Sequence, residues 1–236
     1  MMDTQTEARI YLADGRGTVE SAGYRRYHTF NAETYRAEGR EPYGPLELLS
    51  DDALLAGASL TSRVDDPTDI LLLPLTGGLA YQTEAAGTGF LEPGQLGVLA
   101  LGAGDACTVS NPYDTETISL LQLGLRAAPR PGRPALTVQT FDLTQPNQLL
   151  PLLGTDSPTQ VYIGRYGGRQ ETTYRLQPTA DRAGQVFVFV LQGAFEVANR
   201  LLHARDGLSL TRPPDGEVPF EALSEGAMLL LLDLAC

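Results

Sequence analysis

Apolar residues in this chain come in short runs that stop at a glycine or a proline, and the alternation of run and turn occurs twice. That feature constrains the fold more than any other. A helix needs roughly ten or more residues of 3.6-residue periodicity to bury a face, whereas a strand needs only about four to eight residues between turns. In the first half, Ile70–Leu73 runs into Pro74 and the turn Thr76-Gly77-Gly78, after which Leu79–Thr83 begins a new strand. Glu92-Pro93-Gly94-Gln95 turns the chain into Leu96–Leu101, and Thr117–Leu125 closes the half. In the second half, Gln185–Leu191 alternates, with Val186, Val188 and Val190 on one face and Phe187 and Phe189 on the other. It turns at Gln192-Gly193 into Phe195–Ala198; Arg205-Asp206-Gly207 then leads to Leu208–Leu210, and Ala227–Leu234 comes last. A repeated strand–turn–strand unit predicts an all-β protein made of two copies of one architecture. Short helical turns are expected only at Ala32–Arg40 and Pro146–Leu153.

Between the halves, Ala127–Ala135 (AAPRPGRPA) holds three prolines and a glycine. Proline fixes φ and removes a donor, so neither a helix nor a central strand is expected there. This divides the chain into an N-terminal barrel over 1–126, a linker over 127–135 and a C-terminal barrel over 136–236. Ile70–Leu75 and Ala227–Leu232 are among the longest apolar runs, far short of the ~20 residues a membrane helix needs. The opening MMDTQTEARI has no basic flank before an apolar stretch, as a secretory signal would. All 17 bases are arginine, and 29 acids give a net charge of −12. Such a chain repels phosphate backbones, so neither direct nucleic-acid binding nor membrane binding is expected. With two cysteines, Cys107 and Cys236, a disulfide scaffold is excluded and a cytoplasmic location is the expectation.

Several stretches together resemble the pirin-like bicupins. Tyr27-His28-Thr29-Phe30-Asn31, Tyr35 and Tyr43-Gly44-Pro45-Leu46 through Asp51-Asp52 are similar to that family's aromatic-His-Thr-Phe opening and its Gly-Pro-Leu segment ending in acids. Leu75-Thr76-Gly77-Gly78-Leu79 looks like its first hairpin, and Val190 through Gly207 like its C-terminal cupin. The resemblance implies two cupin β-barrels of the RmlC-like kind. It also implies a metal in the first barrel held by two histidines, a third histidine and a glutamate, with quercetin 2,3-dioxygenase activity or a transcriptional cofactor role in some members.

Carried over position by position, the first two histidines of that family fall on Arg63 and Asp65, the third on Cys107 and the glutamate on Val109. Arg63 offers only donors and a fixed positive charge, and Val109 has no lone pair. The remaining histidines, His28 and His203, stand outside the pattern and are expected to be structural or solvent-facing. The expectation is therefore a bicupin with a lost metal site, no cofactor and no catalytic residue. It would bind a small molecule or a protein partner in a regulatory role. Arg63, Asp65, Tyr81 and Cys107 are the candidate lining of the barrel mouth, with Arg63 and Asp65 paired in the former metal site. Phe187, Phe189 and Tyr174 are candidate lining of the second barrel. Two alternatives remain open at this point. One is a quercetinase-like oxidoreductase binding metal unconventionally through Asp65 and Cys107; the other is a metal-free isomerase with two facing carboxylates. The cluster Asp65, Asp66 and Asp69 lacks calcium-loop spacing and reads as a polar loop.

Overall fold

The computed structural model describes residues 7–127, 135–154, 157–176 and 184–234. The chain opens with β1 (Glu7–Tyr11). There follow β2 (Gly17–Glu20), β3 (Tyr24–His28), β4 (Leu46–Leu54), β5 (Ser59–Arg63) and β6 (Thr68–Thr76). Next come β7 (Leu79–Thr83), β8 (Gly87–Leu91), β9 (Gln95–Leu101), β10 (Ala106–Ser110), β11 (Ile118–Arg126) and β12 (Leu136–Thr140). The second half supplies β13 (Gln148–Pro151), β14 (Gln160–Tyr166), β15 (Glu171–Arg175), β16 (Gln185–Gln192) and β17 (Ala194–Val197). It ends with β18 (Arg200–His203), β19 (Gly207–Thr211), β20 (Glu217–Ala222) and β21 (Ala227–Leu234). Among the described residues the only helical elements are 3-10 turns at Ala13–Gly15 and Pro214–Gly216. None is long and apolar enough to cross a membrane.

The described residues form an all-β protein of two barrel-like units, each a pair of facing antiparallel sheets. In the first barrel an antiparallel sheet ordered β12-β9-β6-β11-β4-β3-β2 stands opposite a sheet ordered β5-β10-β7-β8. Their inner faces share one apolar cluster, with Leu54, Ile70, Leu72, Leu99 and Leu120 from the larger sheet and Leu60, Leu79, Tyr81, Cys107 and Val109 from the smaller. The second barrel repeats the plan with sheets β1-β19-β16-β21-β14-β13 and β15-β20-β17-β18. The connections β6–β7 and β16–β17 each pass from the larger sheet to the smaller and are the equivalent corners. Gly77 and Gly193 turn them at φ of +69° and +76°, a region that costs any other residue strain. A Cβ at Gly193 would lie 2.3 Å from the Ser224 hydroxyl, so close approach excludes a side chain there as well.

The division of the chain differs from the sequence reading at two strands. One compact unit is Arg16–Phe141; the other joins Met1–Gly15 to Asp142–Cys236. Strand β12 lies beyond the proline-rich stretch yet pairs with β9 of the first barrel, while β1 pairs with β19 of the second. Each covers a sheet edge that would otherwise expose unpaired backbone groups. Most of the expected linker, 128–134, and Cys236 lie outside the described residues. The helical turn expected at Pro146–Leu153 is instead β13, whose residues Gln148–Pro151 pair with Arg165–Tyr162. Asn147, at φ +66°, turns the chain into it.

The interior of the second barrel is filled. Val186, Val188 and Val190 point inward with Leu229 and Leu231, and Tyr166 meets Phe195 and Phe220 edge-on. Each such aromatic contact contributes about 0.5–1.5 kcal/mol beyond area burial. Phe187 and Phe189 face the other way and do not line the barrel; Phe187 packs edge-on against Tyr11. Tyr174 does point inward, and its hydroxyl donates to the buried Asp233 carboxylate at 2.8 Å.

Candidate functional site

The inner face of the first barrel changes character along β3, β4 and β11. Alternation on β4 sends Ser50, Asp52 and Leu54 inward. Register then sets Arg26 of β3 opposite Asp52, His28 opposite Ser50, and Ser50 opposite Gln122 of β11. At Leu54 and Leu120 the face is apolar; one step along each strand it becomes a buried polar cluster.

Arg26 is the centre of that cluster. Its guanidinium donates through Nε and Nη2 to the two oxygens of Asp52, at 2.8 and 2.9 Å, and through Nη1 to Glu33 at 2.8 Å. Nη2 also reaches Ser62 Oγ at 3.1 Å, which ties β5 of the smaller sheet to the larger one. Asp52 accepts further bonds from Gln122 Nε2 at 2.8 Å and Ser50 Oγ at 3.2 Å. Arg26 and Asp52 are both buried, yet every charge has a bonded partner, as an interior of low dielectric requires.

His28 is different. Its side chain is only 1% exposed, and neither ring nitrogen has a hydrogen-bond partner. Glu33 Oε1 lies 3.8 Å from Nε2 and is already engaged by Arg26. Burial, and then the neighbouring Arg26 charge, hold the imidazole below its ordinary value of 6.5. An unfolded chain takes up this proton near pH 6.5, and the folded barrel only at lower pH, so between the two values the unfolded state carries more protons. Stability is therefore expected to fall as pH drops from 7 toward 5. Urea titrations across that range check this, with His28→Asn showing a shallower dependence than the parent. An unchanged slope in that variant would contradict the assignment.

Arg26, His28 and Ser62 line a cavity of about 610 Å³ whose edge carries Glu33, Glu47, Arg63, Asp65 and Asp66. Two of the expected lining residues, Arg63 and Asp65, thus stand at its mouth. They are exposed, and no ion pair forms between them; Arg63 donates to the Gly104 carbonyl instead. Arg63 ends β5; Val64, just beyond the strand, is buried in the apolar cluster, and Asp65 in the bend that follows is exposed. Tyr81 and Cys107 lie in that same cluster rather than on the cavity wall. So does Val109, with Leu60 and Tyr81 as its cross-strand neighbours. Among the described residues no three His, Cys, Asp or Glu side chains gather as a metal site would.

Burial pushes the Cys107 thiol up to about 12, so at neutral pH it is neutral and not nucleophilic. In a Cys236→Ser background, Cys107 is expected to react with an aromatic disulfide reagent only after denaturation. Fast labelling of the native protein would contradict its place in the core. The polar cluster, by contrast, is missing from the sequence reading. Its one signal is the alternation Tyr24-Arg25-Arg26-Tyr27-His28 opposite Ser50-Asp51-Asp52, which becomes legible once the register is known.

A second, shallower depression of about 480 Å³ lies on the second barrel, where Glu171 and Glu196 both flank Glu221 across the strands. Arg169 approaches Glu221 at 3.6 Å.

Residues 156–234 match the family model for the quercetinase C-terminal cupin domain. Among curated proteins, none matches this sequence. Solved structures are similar over the full length. YhhW from Escherichia coli superposes with a TM-score of 0.84 at 21% identity, covering 97% of each chain. The same bacterial pirin in complex with nickel(II) gives 0.82 at 18% identity, covering 97% of this chain and 99% of that one. A quercetin 2,3-dioxygenase from Acinetobacter baumannii gives 0.68 at 16% identity, covering 96% and 86%. In fold this chain is a double β-barrel protein similar to these bacterial pirin and quercetin 2,3-dioxygenase structures, and its second barrel carries the match to the quercetinase C-terminal cupin domain.

Proposed function

We propose that this protein works without metal-dependent dioxygenase chemistry and binds a small polar molecule in the mouth of its first barrel. The observation that carries the reading is the chemistry of the four positions where the resemblance implies ligands. Val109 is a buried isopropyl group, Cys107 a protonated thiol among apolar side chains, and Arg63 and Asp65 are exposed at the mouth. A first-row metal needs lone pairs from neutral imidazole, carboxylate or thiolate converging on one point. These four residues do not fit such a group. Meanwhile the neighbouring wall keeps a polar surface of Arg26, Ser62 and His28, backed by the buried Asp52, beside an open cavity, at the desolvation cost that buried charges carry. A purely structural barrel has no need of that surface, whereas a ligand pocket does.

Elemental analysis of the purified protein, together with oxygen uptake in the presence of quercetin, tests the proposal. The expected result is far less than one equivalent of iron, nickel, manganese or copper, and no uptake above background. A stoichiometric metal that survives dialysis, or catalytic oxygen consumption, would overturn it.

A further inference from the structure

Within that proposed pocket, the geometry points to a small organic cation, a protonated amine, as the ligand class, seated between His28 and Glu33. The inference rests on the pocket reading above and goes beyond it by fixing the ligand's charge and hydrogen-bonding character.

The donors of the wall are largely spent. Arg26 gives Nε, Nη1 and Nη2 to Asp52, Glu33 and Ser62, and its charge is matched by the buried Asp52 before anything enters. Acceptors remain. Glu33 is 42% exposed at the cavity edge and hydrogen-bonds Arg26 through Oε1. Asp65 and Asp66 add carboxylates at the mouth. His28, buried and without a partner on either nitrogen, supplies a lone pair when neutral. Arg26, Asp52 and Glu33 together carry one net negative charge, and the two aspartates at the mouth outweigh the single Arg63.

A carboxylate ligand would meet repulsion at the mouth and find no unpaired cation inside. A neutral polyol could bond to the wall but would leave the excess negative charge unmatched. An ammonium group answers both needs, because it brings positive charge and up to three donors for Glu33 and the imidazole nitrogen. The separation of 3.8 Å between His28 Nε2 and Glu33 Oε1 is too long for a direct hydrogen bond. An ammonium nitrogen bridges the two once the half-exposed Glu33 side chain yields by a small rotation. Glu33 sits in a left-handed conformation at φ +51°, on the segment that follows β3.

The two histidines of the chain make the test direct. A His203→Gln variant labelled with carbon-13 histidine leaves His28 as the single imidazole signal. That signal is followed while putrescine, sorbitol and succinate are titrated in separately as cationic, neutral and anionic probes. Putrescine is expected to shift it saturably and the other two to leave it in place. Glu33→Gln should weaken putrescine binding roughly tenfold, the loss of one charge-assisted hydrogen bond. Asp52 still holds Arg26 in that variant, and an unchanged urea midpoint and far-ultraviolet circular dichroism of the free variant report that the fold is kept. A shift produced by sorbitol or succinate alone would overturn the cation assignment and leave the pocket reading standing. No shift with any probe would overturn this inference, while metal content and oxygen uptake judge the wider reading separately.

Discussion

Replacing Asp52 by alanine is expected to destabilise the first barrel by about 3–5 kcal/mol, seen as a lower urea midpoint with little change in slope. Asp52 accepts from Arg26 twice and from Gln122 and Ser50. Removing it leaves a guanidinium that is almost wholly buried with only the half-exposed Glu33 as counter-charge, and two of its donors lose the carboxylate they were aimed at. The cost therefore comes mainly from the under-compensated buried charge and only partly from the lost bonds. That mechanism makes a second, sharper expectation. The double variant Asp52→Leu with Arg26→Met removes both charges and should recover most of the loss, because a buried pair replaced by apolar groups of similar size is often close to neutral. A double-mutant cycle measures the recovery. If the double variant is as unstable as the sum of the single ones, the two residues are not coupled as described.

The same cluster shows what a sequence can and cannot reveal about this molecule. Leu79–Thr83 and Ala227–Leu234 are legible as strands because their bounds are local: apolar alternation ends at Gly77-Gly78 and at Gly226. The pairing of β1 with β19 and of β12 with β9 is not local. It is decided by which sheet edge needs covering, and the proline-rich stretch between the halves suggests a tidier cut than the one the strands make. Arg25-Arg26 poses the same difficulty on a smaller scale. Either arginine could point inward, and only the register of β3 on β4 places Arg26 opposite Asp52. At the cavity mouth the resemblance directs attention to Arg63 and Asp65, which do stand at its edge. It gives no hint that Val64 between them is the buried one, because that depends on how the chain leaves β5 against the apolar interior.

The position where the family resemblance implies a carboxylate gives the other large effect. Val109→Glu is expected to cost at least about 4 kcal/mol at pH 7, against about 1–2 kcal/mol for the near-isosteric Val109→Thr. Val109 is fully buried, with Leu60 on one side and Tyr81 on the other, in a cluster made of aliphatic side chains, one tyrosine and one thiol. A glutamate there keeps its proton in the folded state well above the pH at which the unfolded chain releases it near 4.3. Above that pH the unfolded state carries fewer protons, so the variant loses stability as pH rises, and its deficit against the parent should grow from pH 5 to pH 8. Paired urea titrations at those two values read this directly. A deficit independent of pH would mean that the carboxylate finds water or a cation, and that the interior is more open than its packing indicates. Changing Arg63, Asp65 and Cys107 to histidine in the same chain would not by itself rescue the glutamate. Positions 63 and 65 are exposed at the cavity mouth while Val64 fills the interior, and imidazoles there leave a carboxylate at 109, behind the apolar cluster, as isolated as before.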